Sequence, residues 1–388
     1  MQAPGSQSSL REANRQRIID AVRTFGVITQ VELAAATGLS AATVSNIVKE
    51  LETEKTLRTE ATTRSGRRAQ AVSLAASSSL GFGVHVGRRQ VSVYLADLSH
   101  GVALGRSLPL PEDHRHDTTL DRVALLAGET AAEVGASLDD VASIAVALPA
   151  ALVPGVSTTA IPGWQDVDVA ATLEKRLRRP VALVQQADAA ALAEARYGAL
   201  RSIPHALYVR VGQAVEASVL IDGVPHRGAN GPAGALGHVQ VDPNGSICRC
   251  GARGCVDTLA SAAAMADLLR VSHGPMDLRQ IIQATRRGDA GVCRAVEAAG
   301  EAIGIAVANA ATLLGVERIV VGGETASAGD VLLDPIRAAL RSRPLLGDAD
   351  QLLIPGEVQS MPEAVGAAAI ALDQMELPSV QERNRGMS

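Results

Sequence analysis

The chain has 388 residues, 47% of them hydrophobic and 20% charged, which is more than one ordinary core holds and implies two or three globular domains. No apolar run reaches the length of a membrane span, and the polar start MQAPGSQSSLREANRQR lacks the apolar stretch of a secretory leader, so a cytoplasmic protein is expected. The net charge of −5 is uneven: residues 1–75 carry ten Lys/Arg against seven Asp/Glu, a small basic end on an acidic body.

After a polar start (residues 1–9, expected to be disordered), residues 11–24 read as a helix with Ile18, Ile19 and Val22 on one face. Phe25-Gly26 stops it. Thr29 can cap a second helix, with Glu32 three residues on completing a capping box, and Gly38 ends it. Ser40 can cap a third helix that places Val44, Ile47, Val48 and Leu51 at core spacing. Two short helices joined by a Gly-containing turn are the helix-turn-helix pattern. The stretch LRTEATTRSGRRAQAVSLAA then reads as two strands around a basic tip, a wing carrying Arg64, Arg67 and Arg68.

The outer face of the third helix offers Ala42, Thr43, Ser45, Asn46 and Lys49. Small polar groups and one cation suit a helix in the major groove, with some contacts to bases and others to phosphate. Ser40 at the helix start suits a phosphate. The expected partner is double-stranded DNA. A solvated hairpin used for protein contacts is the blander alternative.

From about residue 80, helix-forming and strand-forming segments alternate in an α/β pattern. GFGVHVGRRQVSVYLAD reads as a strand hairpin. VASIAVALP, PVALVQQ and RIVVGG read as strands, with helices at LDRVALLAGETAAEVGA and AATLEKRLRR and a second glycine-rich strand pair at YVRVGQAVEASVLIDG.

The sharpest chemical feature is GHVQVDPNGSICRCGARGC. His238, Cys248, Cys250 and Cys255 can complete a tetrahedral zinc shell, and a closed shell leaves no position for activated water, so the zinc is read as structural. Arg249 and Arg253 are expected to offset thiolate charge. Cys293 stands alone in a helical stretch and reads as a small core residue.

These residues resemble the ROK family of repressors, open reading frames and kinases. The resemblance rests on Gly237-His238 followed by Cys-x-Cys-Gly-x-x-Gly-Cys, on Pro162-Gly163-Trp164, on ALAEARYGA at 191–199, on HRGANGPAGALGH and on VVGG ending at Gly323. It implies an α/β fold: an N-terminal winged helix-turn-helix (1–76), then a two-lobed, actin-like (ribonuclease H-like) domain (77–375) with its zinc loop at 238–255, and a flexible tail (376–388). It also implies a homodimer or homotetramer. Two winged helices would then face a near-palindromic operator, as in a repressor of metabolic genes.

The resemblance also locates what is missing. The kinases' first phosphate loop, roughly Asp-x-Gly-Gly-Thr-Lys, matches His85-Val86-Gly87-Arg88-Arg89-Gln90. The second, roughly Gly-Thr-Gly-x-Gly, matches Gly212-Gln213-Ala214-Val215-Glu216, with a carboxylate where an anion would sit. The Asn-Asp pair holding the catalytic base matches Gln185-Gln186, which cannot take a sugar hydroxyl's proton; Asp188 matches another family position. Sugar-contact positions are replaced at Ala160, Ala235 and Asp257. No catalytic residue is therefore expected, and a sugar effector is disfavoured. A cleft adapted to another ligand would be lined by His85, Arg88, Arg89, Gln185, Gln186, His238 and Asp257. The alternatives are a ligand-independent regulator with a vestigial pocket and, less favoured, an ATP-dependent sugar kinase.

Overall fold

The structure is a computed structural model. It describes residues 7–374 apart from 55, 65–66, 75–79, 98–102, 154–155, 160 and 230–232. The expected tail and the wing tip Ser65-Gly66 lie outside the described residues, as does Ala160.

The N-terminal unit runs α1 (Gln7–Phe25), β1 (Ile28–Thr29), α2 (Gln30–Thr37), α3 (Ala41–Thr53), β2 (Leu57–Arg64) and β3 (Arg67–Leu74). Helix α1 begins at Gln7, so residues 7–9, expected to be disordered, are helical instead. The capping box on α2 forms, with Thr29 N–H on Glu32 Oε2 at 2.9 Å, and Gly38 ends the helix in the left-handed region. Ile18, Val22, Leu33, Val44, Val48, Leu51 and Val72 close a small core with no solvent exposure. The three strands order β1–β3–β2, all antiparallel.

The first lobe holds β4 (Leu80–Val86), β5 (Gln90–Asp97), β6 (Ala103–Pro109), α4 (His116–Glu133), β7 (Val141–Leu148), a β8–β9 hairpin (Ala150–Val153, Val156–Thr159), α5 (Val169–Leu177), β10 (Val181–Gln185) and α6 (Gln186–Tyr197). The second holds β11 (Ala206–Val211), β12 (Val215–Ile221), β13 (Val224–Pro225), α7 (Asp257–Ala260), α8 (Ala262–His273), α9 (Leu278–Arg286), α10 (Ala290–Leu314), β14 (Arg318–Gly322), α11 (Asp330–Arg341), α12 (Ala349–Leu352) and β15 (Leu353–Pro355). The chain then returns to the first lobe as α13 (Pro362–Asp373).

Both large sheets follow one plan. The first orders β10–β7–β4–β5–β6 and the second β13–β12–β11–β14–β15; each joins an antiparallel meander to two parallel strands. This repeat is the two-lobed, actin-like architecture expected from the sequence.

With aromatics at 2%, small side chains let elements approach closely instead. A Cβ on Gly83 of β4 would lie 1.9 Å from the Ala364 carbonyl of α13, and one on Gly366 would lie 1.6 Å from that of Ala189 in α6. Helices α6 and α13 are thereby pressed together against the first sheet, and α6 also packs on β11 and β12 of the second. The largest fully buried side chain among the described residues is Trp164, which donates its indole N–H to the His114 carbonyl at 3.1 Å.

Candidate DNA-reading face, metal centre and cleft

The axes of α2 and α3 turn by 113°, within the range of a helix-turn-helix. Ser40 caps α3 by accepting the Thr43 N–H at 3.1 Å, and its hydroxyl also meets Thr43 Oγ1 at 2.8 Å. Capping fixes where α3 begins and so which residues face out. Ser40, Asn46 and Lys49 are exposed, and Thr43 and Ser45 are half-buried. Arg15 of α1 pairs with Glu54 at 2.6 Å and Arg11 pairs with Glu50, tying the far side of α3 to the unit. Ser45 and Lys49 border a hollow of about 530 Å³ that also takes Gln30 from α2 and Thr59 and Gln70 from the wing strands. Those three come from separate elements, so no motif marks them in the sequence. Arg64, Arg67 and Arg68 occupy the tip ends of β2 and β3; their side chains lie outside what is described.

The metal cluster assembles as its spacing suggests. His238 Nδ1 lies 3.5 Å from Cys248 Sγ, Cys250 Sγ lies 3.7 Å from Cys255 Sγ, and all four donor atoms fall within 4.8 Å of one another. Tetrahedral zinc with bonds of about 2.3 Å to sulfur and 2.0 Å to nitrogen puts its ligands about 3.5–3.8 Å apart. The donor set and spacing therefore fit that ion. Burial pushes the Cys255 thiol up to about 12, and a cation at the centre would reverse that preference. Gly254 lets the loop close: its φ is +65°, and a Cβ there would fall 1.4 Å from the Asp242 carbonyl.

Arg249 and Arg253 act differently from expectation. Arg249 reaches Asp257 at 3.3 Å and Arg253 donates to the Gly245 carbonyl at 2.8 Å. Asp257 is buried, and its other oxygen takes the Val215 N–H at 2.8 Å. Two residues beyond Cys255, it clamps the metal loop to the start of β12. Cys293 is half-buried, not fully in the core, and its thiol faces the Thr285 carbonyl.

The cleft between the lobes gathers His85, Arg88, Arg89 and Gln186 with Arg210, Glu216, Arg249 and Glu324. Gln185, Asp257 and His238 do not line it; Asp257 and His238 are turned to the clamp and the metal cluster. The enclosed space is about 20 Å³, room for about one water. The protein's own groups fill the rest. His85 Nε2 donates to Gln186 Oε1 at 3.0 Å, Gln186 Nε2 donates to Glu216 at 2.7 Å, and Ser218 donates to Asp188 at 2.7 Å.

Arg210 bonds Glu363 at 2.7 Å and lies 3.0 Å from Glu324. Glu363 resists burial because the Arg210 guanidinium and His85 hold its carboxyl down to about 2. Burial pushes Glu216 up to about 6. The loop amides are engaged as well: Gly87 N–H binds the Gln90 carbonyl at 2.9 Å and Gly212 N–H the Ala214 carbonyl at 3.1 Å. Sequence reading missed Arg210, Glu324 and Glu363, which carry no motif and come from three distant elements.

Residues 81–374 match the model of the ROK family, and residues 11–54 match a winged helix-turn-helix DNA-binding model. The DNA-binding transcriptional dual regulator NagC of Escherichia coli K12 is 28% identical over 393 residues, covering 95% of each chain. The xylose repressor of Bacillus subtilis strain 168 is 24% identical over 373 residues, covering 95% of this chain and 97% of the repressor. In fold, the crystal structure of a ROK family transcriptional regulator, a homolog of the E. coli MLC protein, aligns with a TM-score of 0.71 at 22% identity. It covers 94% of this chain and 96% of that one.

Proposed function

The chain belongs to the ROK family, and from that premise we propose that it is a cytoplasmic DNA-binding transcriptional regulator, a repressor whose kinase-like body does no kinase chemistry. The observation that carries this reading is the capped α2–α3 pair crossing at 113°, with Ser45, Asn46 and Lys49 presented on one side. Its support is the match to regulators along nearly the whole chain.

In this reading residues 1–76 read DNA and residues 77–375 pair the protomers, with 376–388 a tail. Asn46 and Ser45 contact base edges. Lys49, Ser40, Thr43 and the wing residues Arg64, Arg67 and Arg68 hold phosphates. A dimer or tetramer presents two readers to the half-sites of a near-palindromic operator.

His238, Cys248, Cys250 and Cys255 would hold zinc, which would supply a closed structural crosslink. The chain's own Asp257 extends that brace to Val215 and thus to the cleft wall.

The body lacks the means for phosphoryl transfer. Gln185 and Gln186 cannot accept a proton, and Asp188 is buried and bonded to Ser218. Amides that a phosphate would need at Gly87, Gly212 and Val215 are bonded within the protein. Glu216 and Glu324 would repel nucleotide. A ligand-independent regulator is the second reading, favoured by the small enclosed space.

The test is selection of genomic DNA fragments by the purified full-length chain. Recovery of a shared near-palindromic site is expected. Retention of no fragment overturns the reading, and ATP-dependent phosphorylation of a hexose overturns the inert body.

A further inference from the structure

Arg210 lies on β11 of the second lobe, whereas Glu363 opens α13, which packs on β4 and β7 of the first. Their bond crosses the cleft with both side chains only 4% exposed. Two neighbouring bonds cross with it, Gln186 to Glu216 and Ser218 to Asp188. The lobes are thus held shut by protein groups at the place where the matching kinase loops would hold phosphate.

Helix α13 connects this closure to the DNA reader. It spans twelve residues, about 18 Å. Glu363 stands at its cleft end. Near its other end, Ala368 and Leu372 join Tyr94 and Ala96 in one apolar cluster with Ile18, Val22, Leu51, Val72 and Leu74 of the reader. The close approaches at Gly83 and Gly366 leave α13 no slack against β4 and α6. Arg196 of α6 grips the Ala369 carbonyl at 3.1 Å and also pairs with Asp373. A shift at the cleft end must therefore be felt at the reader.

We propose that Arg210 and Glu363 form a built-in latch that closes the lobes without a ligand and, through α13, sets the position of the DNA-reading unit. These are positioning residues: neither touches DNA. An effector acts on such a protein only by preferring the latched or the unlatched arrangement. The relay rests on the DNA-reading role proposed above; the latch itself does not.

The experiment uses the full chain with spin labels placed as unnatural amino acids at exposed Leu125 on α4 and Leu268 on α8, leaving the cysteines untouched. Inter-lobe distance and affinity for the selected operator are measured for wild type, Glu363→Gln, Arg210→Met and the double Arg210→Met/Glu363→Met. The double removes both members of the Arg210–Glu363 pair together and keeps the test open where a single variant fails to fold.

Folded single variants are expected to show a longer or broader inter-lobe distance and an operator affinity changed by about tenfold. The double is expected to show less than the sum of the two effects. Wild-type distances in folded variants overturn the latch. Altered distances with unchanged affinity overturn the relay. A wild-type chain that binds no DNA overturns the regulator reading, while the distances still decide the latch.

Discussion

Replacing Glu216 by Gln should make the protein more stable at pH 8 than at pH 5, relative to wild type. Burial raises this carboxyl from 4.5 to about 6, opposed by Arg210 and by the bond from Gln186. Asp257 and Glu324 raise it further, so the charged form is disfavoured in the folded state. The native protein then holds this proton more tightly than the unfolded chain. Its contribution is complete below about pH 4.5 and is lost as pH rises through 6.

A rise of this size corresponds to about 2 kcal/mol, or about 1–2 kcal/mol once the partial exposure of Glu216 is allowed for. Glu216→Gln mimics the protonated form and can still accept from Gln186. Melting midpoints of both proteins at pH 5 and pH 8 should be close at the lower pH and separate at the higher, the variant melting higher. A variant that melts lower than wild type at pH 8 would show that the ionised carboxylate is favourable there and would refute the argument.

Removing the cap with Ser40→Ala should cost about 1 kcal/mol of stability and weaken operator binding, read by melting and by titration of labelled duplex. Metal analysis of the purified protein should give one zinc per chain, and Cys250→Ser should lower both zinc content and melting midpoint; metal well below one per chain in wild type contradicts the site. Trp164→Ala should cost about 3–5 kcal/mol in denaturant unfolding, because a fully buried indole and its bond to the His114 carbonyl are both lost.

The parts legible in the sequence are those whose chemistry is local. Thr29 and Glu32, Ser40 and Gly38, and the zinc ligands from His238 to Cys255 each act within a few or a few tens of residues. Composition and spacing therefore identify them. The cleft was legible only in its losses. Arg88, Gln186 and Glu216 stand at family loop positions, but what replaced the lost function is non-local: Arg210, Glu324 and Glu363 meet from β11, the turn after β14 and α13. Asp257, two residues beyond the last cysteine, matches a sugar-contact position in the sequence, yet the backbone turn aims it at Val215. The start of α1 at Gln7 is not legible in the sequence because the first turn is polar and has no apolar period.

The central claim is that α3 reads DNA, and titration of the selected operator with wild type and with Asn46→Ala/Lys49→Ala tests it most directly. Wild type should bind at about 10⁻⁸–10⁻¹¹ M at physiological salt, and the double variant should fall toward non-specific affinity with a shallower salt dependence. Wild-type affinity and salt dependence in the folded double variant would contradict the assignment of α3 as the reading helix.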